Sequence, residues 1–196
     1  MTPKNIAFLG GAFNPPTIGH LQVAQSVLNS GHFDEVWLVP SYHHPFSKDM
    51  VDGHHRVEMC RMLIDGMPNL DVFTYEIDHM MSGETFKLIN QLRDEGFPHN
   101  FSFIIGMDNA LQFDKWYNSE LLKELVSFVV VDRKGYNEPS EEAWFMRAPH
   151  MVVHCDVPEV SSTLCRQLIQ DGSVEDLKQY LPLNIIHHIV YNNLYK

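Results

Sequence analysis

The sequence predicts an α/β protein built on a doubly wound parallel sheet of about six strands. Two observations support this prediction: short, largely apolar runs recur along the chain, and segments of helical character separate them. A strand that is apolar throughout is buried on both faces, as in a parallel sheet covered by helices. Such sheets bind ligands outside the carboxyl ends of their strands, so functional residues are expected there.

Six segments are predicted to be strands and three to be helices. The predicted strands are residues 5–10, 35–40, 70–77, 101–106, 125–132 and 150–156. The predicted helices are residues 18–30, 54–66 and 84–96, with glycine as a stop after the first and at the end of the third. We expect one domain over residues 1–196, with a helical C-terminal part at about 161–196 in which Pro182 begins a helix.

The charge, the apolar runs and the cysteines of the sequence argue against several classes of protein. The net charge is −11, which disfavours a general nucleic-acid binder, because such a protein needs a basic surface. A small polyanionic substrate would instead require a few cationic side chains gathered at one site. No apolar run approaches the length of a membrane span, and no signal peptide is evident. The three cysteines form no C-x-x-C pair, which fits a reducing cytoplasm.

The stretch GGAFNPPTIGH, from Gly10 to His20, connects the first predicted strand to the first predicted helix. Its glycines allow the main chain to approach a ligand closely, and the N–H groups of a helix N-terminus attract anions. Thr17 is the expected N-cap, which places His20 in the first turn of the helix, where an imidazole can meet a phosphate. The alternative is an ordinary turn with a structural histidine.

A second motif, VSSTLCR, occupies residues 160–166 and also follows a predicted strand. Ser161, Ser162 and Thr163 supply hydroxyl and main-chain N–H groups at a helix N-terminus, and Arg166 lies one turn further on. Together with the helix dipole, these groups form a candidate anion site. The alternative is a run of capping residues followed by a solvated arginine.

The two motifs together resemble the nucleotidyltransferase superfamily of adenylyl- and cytidylyltransferases, which has a Rossmann-like fold. T-I-G-H follows the first strand and S-S-T-x-x-R follows the last. Three further features resemble the nicotinate/nicotinamide mononucleotide adenylyltransferases: IIGMDNALQFDKW at residues 104–116, the lysine of PFSK at 45–48, and Thr85 after MMSGE. The resemblance covers nearly the full chain, from Gly10 to Arg166.

The sequence departs from the pattern of this family at several positions. Many bacterial members carry G-G-T-F-D-P-x-H-x-G-H, whereas this chain has Ala12, Asn14 and Thr17 at three of those positions. Other members of the superfamily have Asn and Thr at the last two, and the second histidine is retained as His20. The S-Y-T-x-x-T segment of the family corresponds to HMMSGET, in which only the final Thr85 matches.

The resemblance implies transfer of the adenylyl group of ATP to nicotinate or nicotinamide mononucleotide, giving deamido-NAD or NAD and pyrophosphate, in NAD biosynthesis. The attacking phosphate is already an anion, so positioning and charge stabilisation suffice without a general base. Mg²⁺ would arrive with ATP, because the sequence offers no protein cage for it. The expected partners are these small molecules, without nucleic acid or membrane.

The resemblance also implies individual roles. The catalytic residues would be His20, Thr17, Lys48 and Arg166, with His20 acting at the α-phosphate. ATP would contact Gly10, Gly11, Phe13, Thr17, His20, Gly106, Asp108, Ser161, Ser162, Thr163 and Arg166. The mononucleotide would contact Asn14, Lys48, Thr85, Trp116 and Tyr117, with Trp116 stacking on the pyridine ring.

Other polar residues receive simpler interpretations. The adjacent histidines at 43–44, 54–55 and 187–188 point in different directions and would chelate a metal poorly, so no metal site is expected. Arg56 and Arg61 are expected on the surface of a helix, although Arg56 lies near the loop that follows the second predicted strand. Arg133, after the fifth predicted strand, is a candidate for closing the adenine pocket.

Several alternatives remain open from the sequence. Phosphopantetheine adenylyltransferases are usually shorter and lack the G-x-D…W segment, and cytidylyltransferases usually have histidine in place of Thr17. A non-catalytic nucleotide sensor would not need His20, Lys48 and Arg166 together. The sequence does not distinguish nicotinate from nicotinamide mononucleotide. The C-terminal HHIVYNNLYK packs either within the chain or at the interface of a homo-oligomer.

Overall fold

The computed structural model describes residues 2–43, 50–133, 140–156 and 161–196. Its strands are β1 (Asn5–Gly11), β2 (Glu35–Pro40), β3 (Leu70–Val72), β4 (Asn100–Gly106), β5 (Ser127–Arg133) and β6 (Met151–Cys155). They form one six-stranded sheet in the order β3-β2-β1-β4-β5-β6. Every neighbouring pair is parallel. The predicted doubly wound parallel sheet is therefore confirmed.

Helices cover both faces of this sheet. They are α1 (Ile18–Asn29), α2 (Gly53–Leu63), α3 (Tyr75–Asp78), α4 (Thr85–Asp94), α5 (Met107–Leu111), α6 (Ser119–Leu125), α7 (Ser162–Gln170) and α8 (Leu183–Tyr191). Short 3-10 turns occupy Phe113–Lys115, Trp144–Met146 and Val174–Gln179. Three of the helices, α1, α2 and α4, lie where helices were predicted, and the residues from 161 onward are mainly helical, as expected.

The prediction of one strand over residues 70–77 is wrong beyond Val72. β3 is an edge strand that pairs only with β2, and α3 follows it after two residues. Tyr75, at the start of α3, is buried and stacks on the Phe73 ring at 5.6 Å between ring centroids. A short apolar run buries its side chains equally well as a strand or as a helical turn, and periodicity does not distinguish the two.

The core consists of two apolar layers, one on each face of the sheet. Alternate residues of β1 enter different layers: Ala7 pairs with the layer beneath α1, α2, α7 and α8, and Phe8 with the layer beneath α4, α5 and α6. In α8, Ile185 and Ile189 are almost fully buried in the first layer. The C-terminal helix therefore packs within the chain.

The sheet order places a topological switch point between β1 and β4. β2 and β3 extend from β1 in one direction, whereas β5 and β6 extend from β4 in the other. In doubly wound sheets, the crevice outside such a point is where ligands bind. The loops that follow Gly11 and Gly106 border this crevice. No helix in the described ranges is long and apolar enough to cross a membrane.

Candidate active site

The turn between β1 and α1 is organised by a reciprocal contact between Thr17 and His20. Thr17 is the N-cap of α1, as predicted. Its main-chain N–H donates to His20 Nδ1 at 3.0 Å, and its hydroxyl oxygen lies 2.8 Å from the same nitrogen. Thr17 is only 1% exposed, and its contacts with Nδ1 orient the imidazole.

These contacts determine the tautomer of His20. Because Nδ1 accepts a main-chain N–H, it carries the lone pair, and the proton of the neutral ring is on Nε2. Nε2 is therefore the donor nitrogen. The ring also lies 5.1 Å from the Phe13 ring, which is 1% exposed.

The second motif lies directly against this turn. Ser162 Oγ donates to the Pro15 carbonyl at 2.7 Å. Arg166 Nη1 donates to the Asn14 carbonyl at 2.8 Å, and its Nη2 donates to Thr163 Oγ1 at 3.2 Å. The structure thus brings together two motifs that lie about 140 residues apart in the sequence.

The N-termini of α1 and α7 consequently meet at one place. Ser161 is the N-cap of α7, and its Oγ accepts from the Leu164 N–H at 3.1 Å. The positive dipole ends of both helices favour an anion there, and the Arg166 guanidinium adds a full positive charge. This arrangement concentrates positive potential in a chain whose net charge is −11.

Gly106 and Asp108 occupy the carboxyl end of β4, beside β1. Gly106 is the N-cap of α5, and Asp108 lies exposed in its first turn. A Cβ atom at Gly106 would lie 2.5 Å from Asp108 Oδ1, so only glycine allows the carboxylate to approach the strand end this closely. This places a hydrogen-bond acceptor at the switch point.

The predicted mononucleotide residues beyond β4 form a neighbouring group. Trp116 is half-buried and lies 5.1 Å from the Phe113 ring, whereas Tyr117 is 55% exposed. The Tyr117 ring contacts Phe86 at 5.8 Å, edge to face, in the first turn of α4. Thr85 is the first residue of that helix, so the structure brings Thr85 and Tyr117 into one region.

The prediction that Arg56 lies on the surface is wrong. Arg56 is 1% exposed, and its guanidinium donates three hydrogen bonds to main-chain carbonyls. Burial lowers its pKa. Helical spacing could have indicated this position, because Arg56 lies on the same face of α2 as the buried Cys60 and Leu63. Arg61 lies on the surface as expected, with 57% of its side chain exposed.

Two residues predicted for the site cannot be located in the structure. Lys48 and the side chain of Arg133 lie outside the described residues. Within the described ranges, no group of three or more His, Cys, Asp or Glu side chains could hold a metal ion. His55 Nδ1 in α2 and His188 Nε2 in α8 lie 3.1 Å apart. The contact therefore joins histidines of two different helices, not two histidines adjacent in the sequence.

Glu76, in α3, is a buried acid that the sequence did not single out. It is 5% exposed, and its Oε2 has no hydrogen-bond partner among the described groups. Burial raises the pKa of Glu76 to about 7. A hydrogen bond from the Tyr42 main chain and the charge of Arg56 oppose this shift, whereas the charge of Glu84 adds to it. Glu76 therefore titrates near neutral pH.

Comparison with known proteins gives consistent matches over the full chain. The cytidylyltransferase-like family model matches residues 8–168. The probable nicotinate-nucleotide adenylyltransferase of Anaeromyxobacter sp. (strain K) is 30% identical, over 98% of this chain and 97% of its own. The nicotinate-nucleotide adenylyltransferase of Bacillus subtilis (strain 168) is 30% identical, over 98% and 99%. The solved structure of Plasmodium falciparum nicotinic acid mononucleotide adenylyltransferase complexed with NaAD has a similar fold, with a TM-score of 0.81 at 23% identity over 98% and 97%.

The chain therefore belongs to the cytidylyltransferase-like family, as its two helix N-termini and its switch-point crevice indicate. Within that family, its full-length similarity places it among the nicotinate-nucleotide adenylyltransferases. The resemblance seen in the sequence is confirmed.

Replacing Glu76 with glutamine tests the buried acid. The folded state holds the Glu76 proton more tightly than the unfolded state, whose pKa lies near the ordinary 4.5. The free energy of unfolding therefore falls as the pH rises from about 4.5 to about 7. Glu76→Gln removes this loss and is expected to be more stable than the wild type at pH 8, by up to about 3 kcal/mol.

Urea unfolding at several pH values between 5 and 8 measures this difference. Glu120→Gln is the control, since 81% of the Glu120 side chain is exposed, and its stability should follow the wild type at every pH. If Glu76→Gln and the wild type instead lose stability in parallel across this range, Glu76 does not titrate as stated.

Proposed function

We propose that this protein transfers the adenylyl group of ATP to nicotinate mononucleotide, forming deamido-NAD and pyrophosphate. The observation that supports this most directly is the pair of hydrogen bonds from Ser162 and Arg166 to the turn after β1. They bring two helix N-termini together at the switch point, which is where the proposed anion site lies. The full-length similarity to nicotinate-nucleotide adenylyltransferases supplies the choice of substrates.

In the proposed reaction, an oxygen of the mononucleotide phosphate attacks the α-phosphorus of ATP in line. A new P–O bond forms as the bond from the α-phosphorus to the bridging oxygen breaks, and pyrophosphate leaves with that electron pair. The nucleophile needs no base, so the protein contributes alignment and charge stabilisation. His20 Nε2–H is the proposed donor to the α-phosphate, and Thr17 keeps its ring in the required tautomer and orientation.

The N-terminus of α7 is the proposed site for the β- and γ-phosphates. Arg166 uses Nη1 and Nη2 in the hydrogen bonds described above, and a guanidinium carries five N–H donors in all. Further guanidinium donors and the hydroxyl of Thr163 would therefore serve the phosphates. We propose Mg²⁺ as part of the ATP substrate, coordinated mainly by phosphate oxygens and water.

The nucleoside parts of the substrates would occupy the loops after β4. Asp108 is the proposed acceptor for ribose hydroxyls, and Trp116 the proposed stacking partner of the pyridine ring. Thr85 and Tyr117 would lie near the substituent of that ring, because the contact between Phe86 and Tyr117 places them in one region. Lys48, which follows β2 in sequence, remains a candidate for neutralising phosphate charge.

Steady-state kinetics with Mg-ATP and each mononucleotide tests the proposed function. We expect dinucleotide and pyrophosphate in equal amounts from nicotinate mononucleotide, with a higher kcat/KM than for nicotinamide mononucleotide. Phosphopantetheine, and CTP in place of ATP, are the controls for the other members of the superfamily and should give no comparable turnover. Absence of dinucleotide product from both mononucleotides would contradict the proposal.

Replacing His20 with alanine separates an enzyme from a nucleotide sensor. Loss of one donor to developing charge typically lowers kcat by about 10²- to 10³-fold, and we expect a loss of this size for His20→Ala. The Kd for ATP, measured by calorimetry, should change by less than about threefold, since the donor acts mainly in the transition state. The exposed His32, near the amino ends of the strands, provides the control His32→Ala. Equal losses in kcat and ATP affinity would make His20 a binding residue instead.

A further inference from the structure

We propose that Arg56 is a positioning residue for adenylyl transfer. Its buried guanidinium holds the turn after β1, which leads to His20, in a fixed place relative to the chain that follows β2. This inference rests on the proposed function for its effect on turnover. The hydrogen bonds that support it stand independently of that function.

The guanidinium of Arg56 contacts three separate chain segments. Nη1 donates to the carbonyls of Ala12 and Ser41, each at 2.8 Å. Nε donates to the carbonyl of Val51 at 3.0 Å. Ala12 lies in the turn after β1, Ser41 follows β2 directly, and Val51 precedes α2. One side chain thus joins three segments that the sequence separates.

Further hydrogen bonds connect the same segments. The Ser41 N–H donates to the Gly11 carbonyl at 3.0 Å, and the Val51 N–H donates to Asn14 Oδ1 at 3.2 Å. The turn is therefore held from two sides. Arg56 binds it at Ala12 from α2, and Arg166 binds it at Asn14 from α7.

A role limited to stability would not require an arginine at this position. Removing a guanidinium from water is costly, and apolar side chains of similar volume often stabilise a core at least as well as buried charges. The described hydrogen bonds of Arg56 all end on main-chain carbonyls, and these are oriented by a planar fork that lysine cannot reproduce. Such geometry fixes the positions of loops, which is what an in-line displacement needs.

The expected consequence is a loss of turnover. His20 follows Ala12 through a short turn, so movement at Ala12 displaces the imidazole relative to the anion site. A misplacement of about 1 Å can lower the rate of such a reaction by about 10²-fold. The KM for ATP should change less, because the dipoles of α1 and α7 and the charge of Arg166 remain.

The test compares two variants of Arg56 with two variants of the same helix. Arg56→Lys keeps the charge but loses the fork, and Arg56→Met removes both. Arg61→Met removes a surface charge, and Leu63→Ala lowers stability from a buried position of α2. At a temperature well below every melting point, we expect kcat to fall at least about tenfold in both Arg56 variants and to stay within about twofold in both controls.

Hydrogen–deuterium exchange provides a readout that does not depend on activity. Peptides covering residues 11–17 and 41–43 should exchange faster in Arg56→Lys than in Leu63→Ala, because only the former loses the bonds that join these segments. If the wild-type protein makes no dinucleotide, the proposed function fails, while the exchange data still decide whether Arg56 fixes the turn.

Three results would overturn the positioning role. One is a kcat for Arg56→Lys within twofold of the wild type. Another is exchange in Arg56→Lys that matches Leu63→Ala, which would mean that the fork does not fix these segments. Failure of both Arg56 variants to fold would make Arg56 a structural residue only.

Discussion

The candidate site depends on the contact between the N-terminus of α7 and the turn after β1. β6, which precedes α7 in the chain, is one of the two edge strands and lies three positions from β1. Its last residue, Cys155, lies against α1, with Sγ 3.0 Å from Ser26 Oγ. From α7, Ser162 and Arg166 bind the carbonyls of Pro15 and Asn14. The buried Cys165 and Ile169 of α7 pack in the same layer as α1, which supports this contact. Without the contact, each helix N-terminus would be an isolated and weak anion site.

The polar groups around the turn act as an ordered set. Thr17 orients His20 through Nδ1, Arg166 binds Asn14, and Arg56 binds Ala12. Each bond ends on the main chain of one short segment, so the segment has little freedom to shift when an anion enters. A site prepared in this way stabilises developing charge without having to reorganise. It also explains how a chain of net charge −11 can attract a polyanion at one place.

The sequence predicted the sheet and both motifs, because these depend on local patterns. That both motifs serve one ligand was implied only by the family resemblance. Apolar runs indicated buried parallel strands, and glycine, proline and hydroxyl residues indicated the turns at their ends. It did not predict α3, since the apolar residues after Val72 suit either structure. It placed Arg56 wrongly because a charged side chain is normally exposed. The carbonyls of Ala12, Ser41 and Val51 that satisfy it come from three segments that only the folded chain brings together.

We propose that the α1 and α7 N-termini form one polyphosphate site centred on His20. A crystal structure with Mg²⁺ and a non-hydrolysable ATP analogue would show where the triphosphate binds. We expect it between the two helix N-termini, with His20 Nε2 about 3 Å from an α-phosphate oxygen and Arg166 contacting the β- or γ-phosphate. A triphosphate bound elsewhere, or a His20 ring that donates through Nδ1, would contradict it.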